Sequence, residues 1–331
     1  MRKQFPGKVE HGGKVHRHRS RGEELLDFSA NINPYPPAVD WKPDPAVLAE
    51  YPDDRYERLK EAIGRRFNRN PDEITVGNGS IEVIRSFCYS VLDRGDGVHI
   101  EQPTFGEYEL SARLAGAVPV AEESRAAARF LCNPNNPTGR LLPRKEVCSI
   151  LERTASGGAY LFIDEAFVEL ADPRQSLADI RHERLFVLRS ITKSFAVPGI
   201  RFGYGFGDPD LIARMEVMRL PWTVNAWAES FAIQAFSHYD ELERSRERIA
   251  RERGWLCRQL AALDLGFEPP SANYILVRIP MQAADLTERL LKFRILVRDC
   301  SSFGLPGHIR VAVRTHDENR RLVEALAACL R

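Results

Sequence analysis

The sequence predicts an α/β protein: a mostly parallel sheet with crossover helices, followed by a smaller C-terminal α+β lobe. Three observations carry this. Short apolar runs alternate with helical periodicity through the first two thirds of the chain, a long amphipathic stretch comes next, and shorter strand and helix patterns close it.

In order, the strand-like runs are "EITVGNG" (73–79), "GVHIEQP" (97–103), "ARFLCNP" (128–134), "AYLFIDEA" (159–166) and "RLFVLRS" (184–190). Each is short, apolar and rich in β-branched or aromatic residues, as in strands covered on both faces. A helix is expected from Ser80. Residues 240–263 place Leu242, Ile249, Leu256, Leu260 and Leu263 on one helical stripe, with Arg and Glu opposite. This helix leads into the lobe, which reads as strand "NYILVRI", helix 286–293, strand "ILVRDC", strand "HIRVAVR" and a closing helix from His316. The Pro-rich stretch 33–45 reads as an extended connection.

Composition limits the function. With 331 residues, 44% of them hydrophobic, the chain can bury a sizeable core. A net charge of +1 gives no global attraction to nucleic acid or membrane. No run approaches the roughly 20 apolar residues that span a bilayer, and the first residues lack a signal-peptide core, so a cytoplasmic enzyme is expected. The six cysteines, Cys88, Cys132, Cys148, Cys257, Cys300 and Cys329, show no metal-ligand spacing and read as reduced thiols. No metal is expected.

Chemistry concentrates at the ends of the predicted strands, where open α/β sheets place their ligands. Lys193, in "SITKSFAVPGIRFG", follows one strand and stands between Ser190 and Thr192, with Arg201 eight residues on. Gly79 and Ser80 end another strand and open a helix, an anion site if the backbone amides face a ligand and an ordinary helix start otherwise. Asp164 ends a third strand as a sheltered carboxylate that needs a cationic or protonated partner, or caps a helix. Pyridoxal 5'-phosphate requires all three features together: a lysine for its Schiff base, a cradle for its phosphate, and an acid that keeps its ring nitrogen protonated. Ser190, Thr192 and Arg201 add phosphate donors.

The sequence resembles the aspartate-aminotransferase-like, fold type I pyridoxal-phosphate enzymes, in the branch holding histidinol-phosphate aminotransferases and L-threonine-O-3-phosphate decarboxylases. The motifs run nearly the whole chain: "HGGKV", "LLDFSANINP", "YPDDRYERL", "NPNNPTG", "DEAF", "RSITKSFAVPGIRFGYG", "LPWTVNAWA", "SANYILVR" and "RVAVRT". "HGG", "DFSANINP", "DEAF" and "PWTVNA" together look more like the decarboxylases of cobalamin biosynthesis. The resemblance implies a fold type I transferase architecture with a seven-stranded, mostly parallel sheet. It divides the chain into an N-terminal arm belonging partly to the small domain (1–45), a large cofactor-binding domain (46–235) and a small C-terminal domain (236–331).

It also implies roles. Lys193 would carry the cofactor, Asp164 would meet the pyridine nitrogen, Asn136 the phenolic oxygen and Phe105 the ring face. Tyr51 would reach the phosphate in a partner subunit, which implies a homodimer with shared sites. A phosphorylated amino acid would be met by Arg310 at its carboxylate and by Arg298, His11 and Asn31 at its phosphate, with Asn136 contacting substrate as well as cofactor. Many aminotransferases carry a tyrosine three residues after the aspartate; here the position is Phe167. The expected reaction is therefore decarboxylation of L-threonine O-3-phosphate, with transamination of histidinol phosphate and decarboxylation of phosphoserine as alternatives. Arg314, four residues beyond Arg310 and on the same strand face, is expected to pair with an acid, and the basic run 14–21 to be solvated.

Overall fold

The computed structural model describes residues 6–13, 15–18 and 25–330. Its strands are β1 (Leu26–Asp27), β2 (Ile74–Gly77), β3 (Gly97–Ile100), β4 (Val118–Pro119), β5 (Ala126–Cys132), β6 (Tyr160–Asp164), β7 (Leu185–Arg189), β8 (Gly203–Phe206), β9 (Gly266–Phe267), β10 (Tyr274–Arg278), β11 (Ile295–Leu296), β12 (Arg298–Asp299) and β13 (His308–Ala312). Seven of them form one sheet in the order β2-β8-β7-β6-β5-β3-β4, in which β8 alone runs antiparallel to its neighbours.

The two-residue period of a strand decides what each face buries. In β6, Leu161 and Ile163 pack into a core with Leu185 and Val187 of β7, under the helices Glu57–Phe67, Arg144–Ser156 and Ala226–Ser237. On the opposite face Phe162, Phe186 and Leu188 join Phe130 and Phe87, under Ser80–Val91, Glu107–Ala115 and Pro209–Met218. Each fully buried Leu or Phe stabilises this three-layer arrangement by about 1.5–3 kcal/mol relative to exposure.

The run 203–206 was not among the expected strands. Two of its four residues are glycine, which strands disfavour, yet the glycines are what admit it. A methyl group at Gly205 would enter the Phe186 ring, and one at Gly203 would meet the backbone of Gly79 and Ser80.

The small domain has a four-stranded antiparallel sheet, β12-β13-β10-β9, with its own core. Helix Leu242–Ala262 buries Leu242, Ile249, Leu256 and Leu260, with Leu263 just past its end. The predicted single strand "ILVRDC" is split. Its first half, β11, pairs in parallel with β1 and its second half, β12, pairs with β13, because the chain passes from one sheet to the other at Val297. No helix of the described residues is long and apolar enough to cross a membrane, and none of their His, Cys, Asp and Glu side chains group as a metal site.

Candidate active site

A cavity of about 570 Å³ lies where the carboxyl ends of the parallel strands meet the small domain. Lys193 enters it from the short helix Ile191–Ser194, which follows β7 directly. Ser190 caps that turn by accepting from the Thr192 amide at 3.3 Å, and the two hydroxyls lie 2.8 Å apart. Thr192 lines the cavity. The Lys193 Nζ donates to the carbonyl of Ala30 at 3.2 Å. Burial, reinforced by the cationic Arg310 and Arg201, brings the ammonium down to about 8 against the weaker pull of Asp27.

Asp164 comes from the end of β6, on the same face as Phe162, and is 5% exposed. Its Oδ1 accepts from the amide of Ala166 at 2.9 Å and its Oδ2 from the Tyr108 hydroxyl at 2.7 Å. Burial pushes the carboxyl up to about 6 even though both hydrogen bonds favour the anion; the charge of Glu165 adds to the rise. Tyr108 is fully buried and lines the cavity. Sequence reasoning missed it; the only local signal is its place three residues after Phe105, one helical turn along. Phe105, also at the cavity, meets Tyr108 edge to face at 5.5 Å.

Another part of the cavity wall is formed where the chain turns from β2 into helix Ser80–Val91. Gly79 has φ +81°, a conformation that glycine adopts without steric cost. The Arg201 guanidinium lies over this turn so closely that a methyl group on Gly79 would collide with it. Arg201 itself has φ +61° at the entrance to β8, and its Nη1 donates to the Pro198 carbonyl at 3.1 Å. Ser80 and Arg201 both line the cavity, so a helix N-terminus and a guanidinium meet there as an anion cradle.

The small domain supplies two more cations. Arg298 and Arg310 are direct cross-strand partners on β12 and β13, and each is 5% exposed. Like charges in that relationship repel. Arg310 donates to the Asn136 side-chain oxygen and, at 2.7 Å, to the Ser29 carbonyl; burial lowers it to about 10, so it stays charged at neutral pH. Arg298 donates to the Glu10 carbonyl at 2.7 Å and to Ser302 Oγ at 2.6 Å.

The remaining predicted residues are distributed less uniformly. Asn31 lines the cavity, 1% exposed, with no partner for its side-chain oxygen. His11 also lines it, but its Nε2 pairs with Glu107 Oε1 at 2.9 Å. Tyr51 lies away from it, 78% exposed, with its ring 4.4 Å from that of Trp222. Arg314 bonds Glu318 at 2.6 Å and does not line the cavity. Of the basic run 14–21, residues 15–18 form a short helix and residues 14 and 19–21 lie outside the described residues.

This set fits pyridoxal 5'-phosphate. A lysine of lowered proton affinity, a buried carboxyl, an aromatic ring at Phe105, and Ser80 and Arg201 line one cavity, with the Gly79 turn packed under the arginine just behind them. Phe167 lines it without a hydroxyl, against the Tyr274 ring at 5.0 Å.

Comparison with known proteins agrees with the fold. The family model for aminotransferase class I and II matches residues 23–326. A protein of Caldanaerobacter subterraneus subsp. tengcongensis named "Putative threonine-phosphate decarboxylase" is 36% identical, over 96% of this chain and 93% of its own length. The histidinol-phosphate aminotransferase of Symbiobacterium thermophilum is 33% identical, over 93% of this chain and 91% of its own. The crystal structure of the histidinol-phosphate aminotransferase from Clostridium acetobutylicum superposes with a TM-score of 0.81 at 29% identity, covering 92% of this chain and 98% of that one.

Proposed function

The chain belongs to the aminotransferase class I and II family, and from that premise we propose that it decarboxylates L-threonine O-3-phosphate to (R)-1-amino-2-propanol O-2-phosphate for cobalamin assembly. Its cofactor is pyridoxal 5'-phosphate, as throughout the family. The observation that carries the substrate reading is the cross-strand pair Arg298 and Arg310, two buried cations facing one cavity. Their repulsion is relieved by a ligand bearing two anionic groups, such as an amino acid with a distal phosphate.

When bound, the cofactor supplies an electron-accepting ring conjugated to the substrate nitrogen. The protein's own residues do the rest. Lys193 would hold the cofactor, Ser80, Thr192 and Arg201 its phosphate, Asn136 its phenolic oxygen and Asp164 its ring nitrogen. Arg310 would bind the substrate carboxylate, while Arg298, Asn31 and His11 hold the distal phosphate, so the substrate is fixed at both ends. His11 would have to leave Glu107 to do so. The bond from Cα to the carboxylate then breaks, CO₂ leaves, and Lys193 Nζ delivers a proton to Cα. Phe167 favours this outcome over transamination, because the many aminotransferases of the resemblance have a tyrosine there.

The second reading is a histidinol-phosphate aminotransferase, supported by the Symbiobacterium relative and the Clostridium structure. A homodimer goes with either. Trp222 is exposed against Tyr51, and Val217, Met218 and Leu220 just before it in the chain are exposed too, an apolar stretch suited to a second copy that would receive Tyr51 at its cofactor. The deciding experiment mixes cofactor-loaded protein with L-threonine O-3-phosphate and no keto acid. Repeated turnover to CO₂ and the amino alcohol phosphate supports the decarboxylase. No CO₂, but accumulation of pyridoxamine phosphate with histidinol phosphate, supports the aminotransferase.

A further inference from the structure

The segment 29–33 is tied at nearly every residue to a different part of the cavity wall. The Ser29 carbonyl accepts from Arg310, the Ala30 carbonyl from Lys193, and the Asn33 side chain donates to the Ser194 carbonyl at 2.7 Å. Between them stands Asn31. It sits in the left-handed region at φ +52°, a conformation that asparagine adopts more readily than other non-glycine residues, and its side-chain oxygen has no partner although the residue is 1% exposed. A buried residue with an unpaired polar atom at a cavity wall keeps one orientation only if its backbone is fixed by its neighbours.

The hold is Asn273. Its Nδ2 donates to the Asn31 carbonyl at 2.9 Å in a buried contact. Asn273 is wholly buried, directly precedes β10 and does not line the cavity. Its own carbonyl accepts from the Val313 amide at 2.8 Å, just past β13. It is thus fixed between the two central strands of the small sheet, one of which carries Arg310.

We propose that Asn273 is the positioning residue that keeps the Asn31 amide facing the cavity, and that through Asn31 it sets the preference for substrates with a distal phosphate. This rests on the reading that Asn31 meets that phosphate, with its side-chain Nδ2 as the donor, since the amide oxygen only accepts. Asn273 touches neither substrate nor cofactor; it acts on the conformation of residue 31.

The test uses holoenzyme and follows the cofactor's visible absorbance during titration with O-phospho-L-threonine and with L-threonine, in Asn273→Leu, Asn31→Gly and the double variant. Apoprotein melting and cofactor retention are measured alongside, and Asn273→Ser replaces the leucine variant if that fails to fold. The expected result is about tenfold weaker binding of the phosphorylated ligand in Asn273→Leu, little change for L-threonine, and no further loss when Asn273→Leu is added to Asn31→Gly. Cofactor retention stays at the parent level. If Asn31→Gly weakens the phosphorylated ligand and Asn273→Leu does not, or if the two losses simply add, the positioning role is wrong and the reading of Asn31 stands. If neither variant separates the two ligands, both fall.

Discussion

The Tyr108 hydroxyl donates to Asp164 Oδ2 across 2.7 Å, inside a wall where both side chains are shut off from water. An acid whose ordinary range lies near 4 is thereby held as a hydrogen-bond acceptor in surroundings that push it up to about 6. Tyr108→Phe removes the hydroxyl and keeps the ring. With one bond to the anion lost, Asp164 should rise further, and cofactor affinity should fall by about tenfold. The check is the pH dependence of cofactor binding and of its visible absorbance, since a merely structural role would change melting and leave the pH profile in place.

Lys193 predicts a pH effect on reconstitution. Its folded value of about 8 is below the usual 10.5, so between those limits the unfolded chain binds more protons and apoprotein stability gains from rising pH. Asp164 acts in the opposite sense: its folded value is raised, and its contribution is lost as pH rises from about 4 to about 6. The rate at which apoprotein captures pyridoxal phosphate should increase as pH passes through 8, because the neutral amine is the nucleophile. Lys193→Ala should abolish the yellow absorbance and turnover together. A capture rate that is flat from pH 7 to 9 would contradict the lowered ammonium.

Gly79→Ala tests the anion cradle. The added methyl would displace the Arg201 guanidinium and strain a backbone at φ +81°. A cost of about 1 kcal/mol or more in stability is expected, together with weaker retention of the cofactor through dialysis. Unchanged retention would show that Arg201 does not serve the cofactor phosphate.

Arg298→Ala should raise KM for the phosphorylated substrate at least tenfold more than KM for free threonine, with kcat less affected. Equal effects on both would move the phosphate subsite elsewhere. The substitution also removes the Arg298 bond to the Glu10 carbonyl, so a parallel melting curve distinguishes loss of the N-terminal contact from loss of ligand binding.

Much of this was legible in the chain because the chemistry sits at strand ends. "AYLFIDEA" and "RLFVLRS" announce buried strands by their apolar runs, and Asp164 and Lys193 follow where those runs stop. What escaped is what depends on distant partners. Tyr108 looks like one more aromatic on a helix, since Asp164, its partner, is 56 residues away. Strand β8 hid behind glycines whose need appears only against Phe186 and the turn after β2. His11 was expected at a phosphate and meets Glu107, a contact across 96 residues with no local signature.

The lone reversed strand has a consequence for assembly. Gly203 is the residue where β8 pairs with Gly77, at the end of β2, and Arg201 stands two residues before it. Until β8 has slotted between β2 and β7, the glycine turn lacks its guanidinium cover and the outermost strand has no neighbour in the sheet. A partly folded chain that has not yet inserted this strand therefore lacks Arg201 at the cavity wall beside Ser80. Pairing of β8 with both neighbours is thus the long-range step that completes this side of the cavity, and a ligand bound only by the completed cavity would stabilise the closed sheet.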